Sequence, residues 1–172
     1  RIAGLQDDVE GLAKVDLASS GDVSKVVLNV GEMGQHLAQH LYVYDGDLKA
    51  QDDVAADLGK HTKAATEALA ALKTDTRGTE LAGDAAKFAA QFNAMRETTD
   101  TAVKLSRQET VTASEDRDGS RSLYTGRFVA QSDKALAALE GLQGKIAKAA
   151  DEHAAEASAS ATSARRIIFL IA

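Results

Sequence analysis

The chain contains no cysteine, no proline and no tryptophan, and aromatic residues make up only 4% of it. Without cysteine there is no disulfide and no thiolate metal site. Without proline the strongest breaker of long helices is missing. Valine, isoleucine and aromatics are too sparse to build a large sheet-based core. There is no excess of positive charge either. Lys and Arg number 20 against 26 Asp and Glu, a net charge of −6 with the two signs interspersed, and this excludes the basic face that nucleic acid demands. A membrane-spanning run is also lacking, because the apolar stretch that closes the chain (Ile167-Ile168-Phe169-Leu170-Ile171-Ala172) is far shorter than the ~20 residues a span needs.

What is present is alanine, the best helix former, spread over 172 residues, enough for one domain of ordinary size. Apolar residues recur in alternate steps of four and three, the 3.5-residue repeat of a bundle seam. The first run is Leu5, Val9, Leu12, Asp16, Ser19, Val23, Val26, Val30, Met33, Leu37 and His40. Asp45-Gly46-Asp47 breaks it, with glycine as terminator and Asp47 as the next N-cap. The second run is Leu48, Gln51, Ala55, Leu58, Thr62, Ala65, Leu69 and Leu72; the third is Leu81, Ala85, Phe88, Phe92, Met95, Thr99, Ala102 and Ser106. The fourth passes through Phe128, Ser132, Ala135, Leu139, Leu142, Ile146, Ala149 and His153 without a stop signal. Polar breaks at 74–79 and 114–120 separate the last three runs.

These patterns predict an all-α protein with helices at about 2–44, 48–73, 79–112 and 120–170. Short breaks make successive helices antiparallel, an up-down-up-down four-helix bundle. The first and fourth helices, at ~65–75 Å, outreach the middle two at ~40–55 Å and so form a two-helix stalk. The lower fourth helix is rich in alanine and serine, which leaves it nearly without bulk, allowing close approach but burying little area. Asp16 and Ser19 interrupt the first seam inside this stalk, Asp16 at the level of Lys148 and His153. Between a buried, register-fixing polar contact and a narrow, wet stalk, the wet stalk is the expectation. The opening at Arg1-Ile2 and the close at Arg165-Arg166 and the apolar residues beyond read as a domain cut from a longer membrane protein, with 165–172 the start of a second transmembrane helix.

With Val27-Leu28-Asn29-Val30 and Tyr42-Val43-Tyr44-Asp45 in the first helix, the long-short-short-long order and the run into an apolar segment at 164–171, the chain resembles the four-helix-bundle sensor domain of methyl-accepting chemotaxis proteins. The resemblance covers essentially the whole chain. It implies an extracytoplasmic sensor domain over 1–164, standing between two membrane spans, paired as a homodimer, and shifting its last helix when a small ligand or a ligand-loaded binding protein docks at the membrane-distal end. Histidine-kinase sensors share the bundle. Amino-acid-sensing members hold the ligand carboxylate with arginines on the first helix, whereas here that helix carries no Arg after Arg1, only Lys14 and Lys25.

The antiparallel order sets the end of the first helix beside the start of the fourth. His36, His40 and Tyr44 recur every four residues on one face, with Arg117, Arg121, Tyr124 and Arg127 at the opposing level and Arg107 within reach. Arginine forks suit carboxylates, and Tyr and His add orienting hydrogen bonds, so these residues form a candidate site for an organic anion. The competing reading pairs Arg121 and Arg127 with Asp47, Asp52, Asp116 or Asp118 on a solvated tip. His36 and His40 also have the i, i+4 spacing of a helical metal pair, but no third ligand and no Glu-x-x-His motif accompany them, so no metal or other cofactor is expected. No nucleophile motif or phosphate loop is present, and no enzymatic activity is expected. A structural or interaction bundle without small-ligand binding is the alternative outside signalling.

Overall fold

The computed structural model describes the helical backbone from Ile2 to Ile171 and the side chains of residues 18–159. Every regular element among these residues is helical. Helix α1 (Ile2–Ala38) runs into a π-helical segment (Gln39–Val43). Helices α2 (Leu48–Asp75) and α3 (Ala82–Val111) follow. A short α4 (Asp118–Leu123) then leads through a second π segment (Tyr124–Phe128) into α5 (Val129–Ile171).

The turns follow from their sequences. Gly46 adopts φ +87°, open to glycine at little cost, and lets the chain reverse after the first π segment. Asp47 then caps α2, its Oδ1 accepting the Ala50 N–H at 3.0 Å. Gly78, at φ +82°, serves the next reversal.

Helix α1 packs against α2 and α5, and α3 packs against α2 and α5, so the four long helices share one core. Val23, Val26, Val30, Met33 and Leu37 of α1 are completely buried, as are Ala65 and Leu72 of α2. Phe88, Phe92 and Met95 from α3 and Ala135 and Leu139 from α5 complete the centre. Each such large side chain contributes roughly 1.5–3 kcal/mol by leaving water. On α2 the burial departs from the predicted seam: Val54 and Ala68 turn inward, while Ala55 and Thr62 are only half-buried.

Ser19 corrects the expectation of a wet stalk, being 1% exposed. It continues the 3.5-residue seam one step before Val23, and its buried hydroxyl finds no hydrogen-bond partner among the described residues. Asp16, expected near Lys148 and His153, lies outside the described side chains, as do Arg165, Arg166 and the rest of 165–172. No helix among the described residues is long and apolar enough to cross a membrane.

Candidate functional site

Irregularity concentrates where the two π segments sit. A π turn accommodates an additional residue and gives up regular i→i−4 bonding, and such turns recur at functional sites. In the first, the Tyr44 N–H donates to the Gln39 carbonyl at 3.0 Å. The His40 carbonyl instead accepts from Gln51 Nε2 of α2 at 3.3 Å, and the same amide donates to Ser106 Oγ of α3 at 3.2 Å. The additional residue brings both His40 and Leu41 inside, at 0% and 1% exposure. Neither His40 ring nitrogen bonds a protein group, and Gln51 Oε1 is likewise unpaired. Burial pushes the His40 pKa below that of ordinary histidine, and the carboxylates of Asp52 and Asp45 oppose this in part.

Asp45, directly after the first π segment, is held by the start of the fourth helical stretch. Arg121 Nη2 donates to its Oδ2 at 2.7 Å, and Arg117 Nε stands 3.3 Å from Oδ1. The Arg121 guanidinium also lies 5.1 Å from the Tyr42 ring centroid, a cation–π arrangement. Tyr42 meets Tyr124 edge-on at 5.9 Å, and Tyr124 stacks on Phe128 at 5.6 Å. Phe128 is buried against Gly34, where a Cβ would come within 3.4 Å of its ring. The two π segments are thereby joined by one aromatic row and one acid clamp. Asp45→Asn should lower stability by about 1–2 kcal/mol in urea unfolding at low salt. The loss should shrink at 1 M salt, because the clamped groups retain some contact with water.

One acid of this end was absent from the sequence-based candidates. Glu109 of α3 is only 8% exposed, and its two oxygens accept the Ser120 N–H at 3.0 Å and the Ser120 hydroxyl at 2.6 Å. It caps α4 from a neighbouring helix, since Arg117 at the N-cap position supplies no side-chain bond.

The structure thus brings His40, Arg121 and Tyr124 into one connected layer with Asp45 and Gln51. Arg107 is close by but committed, its Nε and Nη2 donating to Asp52 at 2.7 and 3.2 Å. Tyr44 is partly exposed, and Arg127 is exposed and enters no ion pair among the described residues. His36 departs from the predicted pairing with His40: its ring stacks on His61 of α2 with centroids 5.2 Å apart. The register between α1 and α2, which a single-helix pattern does not contain, sets that pairing. Away from this end, an open groove of about 540 Å³ between α2 and α3 is lined by Leu58, Thr62, Arg96 and Val103 among others. No protein-family model, curated protein or solved structure matches the chain.

Proposed function

We propose that this chain is the extracytoplasmic sensor domain of a bacterial transmembrane chemoreceptor, an antiparallel up-down-up-down bundle that detects a small ligand at one end. The observation that carries the reading is the gathering of unfavourable features there. Two π segments, a buried unpaired histidine and an unpaired Gln51 oxygen adjoin one another, whereas the core below is regular. Sequences keep such departures mainly where function needs them. Cross-helix bonds support the antiparallel order: the carbonyl of residue 40 meets Gln51 near the start of α2, whereas Asn29, earlier in α1, meets His61, later in α2.

The ligand class is an organic anion. A carboxylate would compete with Asp45 for Arg117 and Arg121, with exposed Arg127 as a further cation. Displacing Asp45 frees the turn after the first π segment and alters the aromatic row that ties it to the second. The second π segment leads directly into proline-free α5, a continuous rod suited to carrying a helix shift of about 1–2 Å. Leu28, 64% exposed on α1 beside Val27, offers an apolar strip for pairing in a homodimer anchored by flanking spans. The same domain on a membrane histidine kinase would work alike.

A structural bundle without small-ligand binding is the second reading, favoured by the fact that Arg107 and Arg121 already hold Asp52 and Asp45. Thermal unfolding against a panel of organic acids and amino acids separates the two. A sensor gains several degrees with one ligand class, by mass action on the folded state, and the Arg121→Ala/Arg127→Ala double variant loses that gain. Absence of a shift with every ligand in the panel would leave the structural reading.

A further inference from the structure

Below the π segment, α1 and α2 bring three donor groups together that neither helix contains alone. Glu32 and His36 of α1 and His61 of α2 each offer one ligand atom, all within 4.8 Å of one another. His36 Nε2 is 4.0 Å from Glu32 Oε2. Each ring also meets an amide oxygen: His36 Nδ1 lies 3.2 Å from Gln39 Oε1, and His61 Nδ1 lies 3.0 Å from Asn29 Oδ1. An amide oxygen only accepts, so these contacts favour the tautomer with the proton on Nδ1, which leaves the Nε2 lone pair for a metal. Oxygen acceptors behind metal-binding imidazoles fix the tautomer and ring orientation in this way. All three residues are half-buried, neither lost in the core nor loose in solvent.

We propose that Glu32, His36 and His61 bind a divalent transition-metal ion of the zinc type, bridging α1 and α2. Two imidazoles and a carboxylate suit zinc, whereas magnesium and calcium prefer all-oxygen sets. Tetrahedral coordination at ~2.0–2.2 Å brings donors to roughly 3.3 Å apart, a closure of the order that rotation of the half-buried Glu32 side chain supplies. The fourth position remains open to water or an anion. Asp57, one turn before His61 and paired with Lys60 at 2.7 Å, adds negative field on the same side. The site does not depend on the sensor reading, but it has a bearing on the end of the bundle. Gln39, which holds the His36 ring, is the first residue of the first π segment, so a bound ion pins the entry to that segment.

The test is calorimetric titration of tag-free, chelator-stripped protein with zinc chloride, together with the visible spectrum of the cobalt-loaded protein. One ion per chain at micromolar affinity or tighter is expected, with cobalt bands of a tetrahedral nitrogen–oxygen site. His61→Gln and Glu32→Gln should each weaken binding at least ~10-fold, and Asn29→Ala, which only orients His61, by ~10-fold. His153→Gln should leave binding unchanged. Failure of the wild type to take up a stoichiometric ion, or equal affinity in His61→Gln, overturns the site. Should His61→Gln lose its helical circular dichroism, the near-isosteric Glu32→Gln and the cobalt spectrum decide.

Discussion

Replacing His40 by leucine is expected to stabilise the protein by about 1–3 kcal/mol at neutral pH, opposite in sign to most core substitutions. The ring is completely buried and neither nitrogen meets a protein partner, so the native state carries the desolvation penalty of two polar atoms. Leucine is similar in volume and removes that penalty. For a chain of this size the gain reads as roughly 2–4 °C in Tm per kcal/mol. The effect should also depend on pH. The folded-state pKa of His40 lies below the ordinary histidine value, so between the two the unfolded chain binds the proton and the folded chain does not. The wild type is therefore at full strength above about pH 6.5 and weakens as pH falls from there toward the lowered value. The leucine variant lacks this component, so its advantage should widen between pH 7.5 and 5.5. Asp52, whose pKa is lowered by the hydrogen bond from Arg107, acts only near and below the carboxylate range and does not confuse that window. Urea unfolding at both pH values checks the prediction. A destabilised variant, or an advantage that does not change with pH, would show that His40 is satisfied in the folded state.

The seam residues were readable because burial follows the 3.5-residue repeat: Val23 through Leu37 and Phe88, Phe92 and Met95 fall inside as the pattern predicts. The first π segment was not, since Gln39-His40-Leu41-Tyr42-Val43 contains no glycine or proline to mark a departure from α-helix, and the second carries only Gly126, which by itself does not distinguish a π turn from a tolerated helical glycine. Charge partners were readable by type but not by address. Asp45 looked like part of a terminator and instead clamps Arg117 and Arg121, while Asp52 goes to Arg107. Such choices depend on axial register and helix rotation, which only packing fixes. The His36–His61 pair was hidden for the same reason. Glu109 was the hardest to see, because an acid near the fading end of a helix ordinarily belongs to solvent.

Its burial makes Glu109→Ala the most damaging single change at this end of the molecule, with an expected loss of about 2–4 kcal/mol. Removing the carboxylate leaves the buried Ser120 N–H without its acceptor and its hydroxyl with only the long contact to the Arg117 carbonyl at 3.5 Å. It also removes one of the negative groups that the free amides and dipole at the start of α4 favour, leaving Asp118 and Asp116, whose Oδ1 accepts the Asp118 N–H at 2.8 Å. Glu109→Gln should be milder, about 1 kcal/mol, because one oxygen can still accept the Ser120 N–H. Gly119→Ala attacks the same joint from the other side. A Cβ there would stand 2.8 Å from Glu109 Oε1 and 3.1 Å from Leu105 Cδ2, so the cap must shift to admit it. Urea unfolding measures the global loss, and hydrogen exchange should show protection falling first across 118–123. A Glu109→Ala variant within 0.5 kcal/mol of the wild type would mean that α4 is held by packing alone. A large loss confined to this segment would mean that the end of α3 sets the position from which the second π segment and α5 begin, which is where a displacement at the Asp45 clamp would have to enter the last helix.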